Sequence, residues 1–295
     1  MMSEDKDMPR VSVIIPVYNR PDEIKTCIEG VLSQTYPDEL TEIYVVDNKS
    51  TDNTREVIKE YSEINLEEEN EIQSSYAARN TGIKASDGEV IAMIDSDCNP
   101  VDEWLEKGIR KMMDSEADLI GGNVEFTFSK KRTASELYDS INNMQVESDI
   151  KTRGVAKTAN LFAKRDVFDK IGLFPKDVKS GGDVKWTRKA TENSLKLVYS
   201  EEAKVRHPAR RFIPSMKKQF RVGKGKYSNN EKSKNSFSIL SRFKPAKISD
   251  LRSKLEEKEK SEISKQMFVR MFIVVWMVNV FQNLGFIYGM VSNSS

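Results

Sequence analysis

Through the first hundred residues, short apolar runs of strand length alternate with segments of helical period, and no other feature of the chain restricts its fold as much. "VSVIIPVYN", beginning at Val11, is a buried strand. "PDEIKTCIEGVLSQ" then sets Ile24, Cys27, Ile28, Val31 and Leu32 at i, i+3, i+4, i+7 and i+8, the spacing of one apolar helix face. "EIYVVDNKSTDNTREVIKEY" repeats the unit: a strand ending at Asp47, a polar loop offering Ser50, Thr51 and Asp52 as helix caps, and a helix carrying Val57 and Ile58. A helix around "AARNTGIKAS" leads into "VIAMIDSDCNP", a further strand. Strands covered in turn by helices of this length close into a mostly parallel α/β sheet with right-handed crossovers. Beyond Asp118 the pattern weakens; "ADLIGGNVEFTFS" and "VAKTANLFAKRDVF" read as strands, so the second half is expected to be mixed α+β. An apolar share of 38% in 295 residues supplies a core for one large domain plus extras.

The chemistry gathers where the strands end. In extended backbone, alternate side chains face one way, so Asp95 and Asp97 are expected to point together while Ser96 turns elsewhere. Asp47 closes another strand, and neighbouring parallel strands would carry these carboxylates to one edge, where open α/β sheets bind ligands. Crowded carboxylates repel unless a cation or donor joins them. A divalent ion shared with a nucleotide diphosphate fits, with Asp47 accepting an N–H of the base and Arg79 pairing with phosphate. Each residue has a plainer reading too: solvated turns for the aspartates and a surface cation for Arg79.

Overall charge is balanced, with 47 basic and 46 acidic residues, yet from Lys204 to Lys247 fourteen Lys or Arg face one acid, Glu231. Cys27 and Cys98 have no zinc-type spacing and suggest reduced thiols in a cytoplasmic setting. The charged stretch Met1 to Arg10 does not read as a secretory signal. Residues 228–266 read as a basic linker followed by a charged helix. Residues 267–291, "MFVRMFIVVWMVNVFQNLGFIYGMV", carry one charge, Arg270, and as a helix would measure about 37 Å, enough to span a bilayer. Asn279, Gln282 and Asn283 leave open a helix lying in the membrane plane, or one packed on protein.

Taken in order, "VSVIIPVYNR", "VVDNKSTDNT", "AARNTGIKASDGEVIAMIDSD" and "SGGDVKWTRKA" resemble the family-2 inverting nucleotide-sugar glycosyltransferases, over about residues 10–227. The resemblance implies a GT-A fold: a mostly parallel, Rossmann-like sheet flanked by helices, here followed by a C-terminal helical segment associated with a membrane. It implies a catalytic domain over 1–227, with Pro16, Val17 and Asn19 bordering the nucleotide, Asp47 at the base and Arg79 by the donor. It implies further that Asp95 and Ser96 lie at the nucleotide sugar, that Asp97 holds manganese or magnesium, and that Asp183 is the catalytic base. His207, the sole histidine, would lie near metal and diphosphate, and the basic segment "FIPSMKKQFRVGKGKY" would bring Arg221, Lys224 and Lys226 as a flap. Two departures stand out. Asp47 is followed by Asn48 where a second acid is frequent, and Gly182 precedes Asp183 where the family carries an acidic neighbour. An aspartate capping the helix "VKWTRKATEN" is the simpler role for Asp183.

The expected activity is transfer of a sugar from a UDP- or GDP-sugar to a membrane lipid or lipid-linked acceptor on the cytoplasmic face of the cell membrane. A sugar-nucleotide nucleotidyltransferase would need a glycine-rich triphosphate loop where "PVYNRPDE" stands. A membrane scaffold that keeps the fold without activity is the other alternative. The basic stretch has few aromatics and adjoins an apolar segment, so no nucleic-acid partner is expected. Oligomeric state stays open.

Overall fold

The computed structural model describes residues 8–178, 180–228 and 264–292, with 226–228 by backbone alone. In chain order the elements are β1 (Val11–Val17), α1 (Pro21–Leu32), β2 (Thr41–Asp47), α2 (Thr54–Ile58), β3 (Ile64–Glu68), α3 (Ser75–Ala85), β4 (Val90–Ile94) and β5 (Asn99–Pro100). There follow α4 (Trp104–Asp114), β6 (Leu119–Thr127), α5 (Ala134–Asn142), α6 (Val146–Arg153), β7 (Asn160–Lys164) and α7 (Arg165–Ile171). The last are α8 (Gly182–Glu192), β8 (Leu197–Pro208), α9 (Phe212–Ser228) and α10 (Lys265–Ser292).

One sheet runs in the order β3-β2-β1-β4-β7-β6-β8-β5. Its first half is parallel: β1 pairs with β2 and with β4, and β2 with β3. Its second half is antiparallel where β4 meets β7, β7 meets β6, and β5 meets β8. The sheet is therefore mixed, with its parallel part in the stretch where strands and helices alternate in sequence. Between β1 and β4 the connections reverse: the chain steps outward from β1 to β2 and β3, then returns to the other side of β1. Crevices at such switch points, at the carboxyl ends of the strands, are where open α/β sheets bind ligands.

β1 and β4 are buried along their whole length, as continuous apolar strands covered on both faces must be. Ile14, Ile91 and Met93 pack with Leu161, Ala163, Phe168 and Trp186 in the main core, each fully buried large side chain contributing about 1.5–3 kcal/mol relative to exposure. "VAKTANLFAKRDVF" differs from the sequence expectation. Only Asn160–Lys164 is strand, and Arg165–Ile171 is a helix whose Val167, Phe168 and Ile171 are buried. Its boundary is fixed by Arg165, whose backbone N–H donates to the Glu89 carbonyl (2.8 Å) while its Nε donates to the Gly88 carbonyl (2.5 Å).

The chain divides into two compact units. The first, Met1–Glu125 with Val146–His207, contains the sheet apart from the final residues of β6 and β8. The second, Phe126–Gln145 with Pro208–Ser295, has its own core, in which Leu137 and Ile141 of α5 and Met216 of α9 meet Met271, Val274 and Val278 of α10. The expected apolar helix thus exists and runs from Lys265 to Ser292. The expected linker and charged helix fall mainly on 229–263, outside the described residues.

Candidate active site

Pro16 and Val17 finish β1 beside the switch point. Pro16 has no N–H to give a ladder, and the β1–β4 pairing stops at Ile14 and Met93, so the two strands part as β4 reaches its acidic exit. The chain does not stay extended there. Cys98 N–H donates to the Asp95 carbonyl (2.9 Å), closing a turn over 95–98. Alternation of side chains ends at Ile94, and the two aspartates, expected to point together, have different partners.

Asp95 pairs with Arg79 of α3 through Nη2. Arg79 is almost wholly buried, and its Nε has no partner among the described residues. The surface-cation reading of Arg79 therefore fails. Asp97 lies 3.3 Å from Arg20 Nη1 and 3.5 Å from His207 Nε2. The register explains the histidine: β5 and β8 are antiparallel with Asn99 opposite Arg206, so one step further sets Cys98 opposite His207 and brings Asp97 alongside. Ligand atoms of Asp97, Cys98 and His207 lie within 4.8 Å of one another. Burial pushes the Cys98 thiol pKa well above its usual value, and the charges of Asp97 and Asp95 add to the shift. Ser96, between the aspartates, is buried.

Asp47 ends β2 fully buried, held by Arg55 Nε at 2.6 Å and accepting the Ser50 backbone N–H at 3.2 Å. It thus organises the turn that follows, and Arg55 in turn reaches Glu68 at 2.9 Å. Asn19 stands in left-handed backbone, which asparagine tolerates better than most residues. Its side-chain oxygen accepts the Thr51 N–H (2.7 Å) and its own N–H donates to Ser50 Oγ (2.9 Å), joining the loops after β1 and β2. Asn48 donates to the carbonyls of Glu69 (3.2 Å) and Ile72 (3.0 Å), which a carboxylate there could not do.

Asp183 lies in the first turn of α8, whose N-cap is Gly181, so it does not cap the helix in the expected sense. Val184 N–H donates to its Oδ1 at 2.9 Å and the Tyr76 hydroxyl donates to the same oxygen at 3.1 Å. Gly182 explains its own departure. A Cβ there would meet the Tyr76 ring at 2.8–2.9 Å, closer than real contacts allow.

The basic residues expected as a flap lie on α9, in the second unit. Arg221 and Lys224 are exposed, and Lys224 Nζ sits 5.0 Å from the Tyr288 ring centroid of α10. The side chain of Lys226 lies outside the described residues. Sequence reasoning missed Arg20, Arg55, Tyr76 and Cys98. The first two stand inside the quoted motifs and were readable as cations beside aspartates; the other two become visible only through contacts between distant segments.

A sheet with this switch point and an acidic carboxyl edge has the architecture of a GT-A glycosyltransferase. The structure is similar to that of the mannosyltransferase PcManGT from Pyrobaculum calidifontis, solved with GDP-Man and Mn2+ (TM-score 0.58, 18% identity, covering 98% of this chain and 76% of that one). It is also similar to S. aureus TarS 1-349 (TM-score 0.55, 17% identity, covering 97% and 92%). In sequence, the chain is 43% identical over 290 residues to glycosyltransferase AglE of Haloferax volcanii, across 94% of this chain and 95% of that protein. It is 37% identical over 117 residues to the Escherichia coli UDP-Glc:alpha-D-GlcNAc-diphosphoundecaprenol beta-1,3-glucosyltransferase WfgD, across 39% and 43%. Residues 12–172 match the model for glycosyl transferase family 2. The chain belongs to that family and is a glycosyltransferase.

Proposed function

We propose that this glycosyltransferase is inverting and metal-dependent, and that it moves a sugar from a UDP- or GDP-sugar to a hydroxyl or lipid-phosphate acceptor at a membrane. The observation that carries the reading is the meeting of Asp97 and His207 at the carboxyl edge beside the switch point. One carboxylate and one imidazole make a donor set that suits manganese or magnesium. These residues fit the ion, and Asp97 and His207 would hold it. When bound, the ion supplies positive charge against the diphosphate as its bond to the sugar breaks. PcManGT, bound to GDP-Man and Mn2+, and WfgD, whose acceptor is lipid-linked, support the donor class and the acceptor class respectively.

The chain's own residues supply the remainder. Pro16, Val17, Asn19 and Ser96 border the nucleotide sugar, and Asp47, fixed by Arg55, faces the base. Arg79 holds Asp95 at the sugar side of the crevice. Asp183 is the general base: among the described residues Tyr76 and Val184 both donate to Oδ1, which leaves Oδ2 to take the proton from the acceptor hydroxyl. The acceptor oxygen forms its bond to the anomeric carbon as the carbon–oxygen bond to the diphosphate breaks, one displacement that inverts that centre. The catalytic domain is assigned to residues 1–227. Residues 228–266 act as a basic connection, and 267–291 attach the enzyme to the cytoplasmic face.

The test is donor hydrolysis and transfer by full-length protein in detergent, before and after chelation. Turnover is expected to fall by about 100-fold or more and to return with manganese. Unchanged turnover after complete chelation overturns the metal assignment.

A further inference from the structure

We infer that the Tyr76 hydroxyl is the positioning group for Asp183, standing in the space beside that carboxylate which Gly182 leaves open. The inference rests on the reading of Asp183 as general base. Its support is geometric and comes from three places. The Tyr76 hydroxyl is 3.1 Å from Asp183 Oδ1 across 107 residues of sequence. The ring fills the volume that any side chain at position 182 would need, with its Cε2, Cδ2 and Cζ atoms 2.8–2.9 Å from a Cβ built there. And Tyr76 is itself locked, 6% exposed and packed 6.1 Å from Phe174, in a core that also holds Trp186 of α8.

Without this bond the described donors to the Asp183 carboxylate reduce to the neighbouring Val184 N–H, which leaves the side chain free to swing about its own bonds. Tyr76 adds a second, rigid donor to the same oxygen, so Oδ2 keeps one direction. The phenol remains a donor, because burial and then the charge of Asp183 push its own pKa up. The other charge acting on the phenol is Arg79, whose guanidinium lies 5.9 Å from the Tyr76 ring centroid.

Arg79 follows Tyr76 by three residues, so the two share a face of α3. One holds Asp183 and the other holds Asp95. A single helix turn therefore spaces the base from the carboxylate after β4.

The test compares Tyr76→Phe, Asp183→Asn and the double variant in the full-length protein, using whichever UDP- or GDP-sugar the wild type turns over, together with denaturant unfolding of all four proteins. Tyr76→Phe is expected to lower kcat about ten-fold and to leave donor KM within about two-fold. Gly182→Ala, which displaces the ring but keeps the hydroxyl, should likewise lower kcat and leave donor KM within about two-fold. In the Asp183→Asn background Tyr76→Phe should cost no further turnover, and the unfolding cycle should be non-additive. An unchanged kcat in Tyr76→Phe, a loss carried by donor KM instead, or an equal loss of turnover in both backgrounds overturns the inference and leaves Asp183 standing as base. Near-normal turnover of Asp183→Asn alone overturns the base reading, and the inference falls with it.

Discussion

An amide at position 48 does what a carboxylate could not, and it shows how far single residues could be read from sequence. Asn48 looks like a weakened acidic pair, yet its side chain is spent on the carbonyls of Glu69 and Ile72, tying the turn after β2 to the segment before α3. Asn48→Asp would leave both carbonyls facing an acceptor, so we expect a loss of about 1–3 kcal/mol in denaturant unfolding. Asp47, Asp95 and Asp97 were legible because each follows a run too apolar to be anything but a buried strand. Their partners were legible only when near in sequence, as Arg55 is to Asp47. Tyr76 arrives through a pairing across roughly a third of the chain, which no local pattern encodes, and His207, equally distant from Asp97, was expected there through the family resemblance alone. For Asp97, beside His207 and Arg20, we expect Asp97→Asn to keep the fold and lose the manganese-dependent thermal shift produced by UDP or GDP. An undiminished shift in the folded variant would remove Asp97 from the metal site.

At the scale of elements, the parallel strands and their helices were readable because period and caps agree, whereas β3, α4, α5 and α6 were not anticipated. β3 is an edge strand of five residues, INLEE, too short for the alternation of Ile64 and Leu66 to stand out beside its acids. α5 had a signal that went unread: Thr133 and Glu136 form a capping box, with the Thr133 N–H donating to Glu136 Oε2 (2.7 Å) and the Glu136 N–H to Thr133 Oγ1 (3.3 Å). Thr133→Ala should cost about 1 kcal/mol in the unfolding of the second unit. Burial raises the Glu136 pKa, but donors from Ser129 and Thr133 outweigh it and hold the carboxyl below its usual value. A depressed carboxyl stabilises the fold above its unfolded pKa, about 4.3, and that contribution is lost as pH falls through the folded value. The stability gap between wild type and Glu136→Gln should therefore shrink on acidification below about pH 4; a gap that stays constant would show that the ionised form has no special role.

At the scale of the whole molecule, the sequence marked the final helix as apolar but could not say which side of it was free. Its packed face is Met271, Val274, Val278, Gly285 and Gly289. At Gly285 and Gly223 the backbones of α10 and α9 approach so closely that a Cβ on either would strike the other helix, and Gln282 donates to Gln219 at 2.6 Å. Small residues at the contact and a polar pair across it are how helices associate in lipid. The outer face, Val269, Ile273, Trp276, Leu284 and Val291, is exposed, with Arg270 the charge near its start. A helix about 42 Å long with such a face is costly to leave in water. We therefore expect the full-length protein to sediment with membranes and to withstand a high-salt wash, which screens whatever attraction the basic stretch adds. Ile273 and Leu284 lie on the outer face, so Ile273→Lys with Leu284→Lys should spare the packed core. Each central lysine opposes insertion by about 2.5–3.5 kcal/mol, and the pair should move the protein to the soluble fraction with its unfolding transition retained. If the double variant stays with the membrane after the wash, or if the wild type is soluble without detergent, the outer face of α10 is not the anchor.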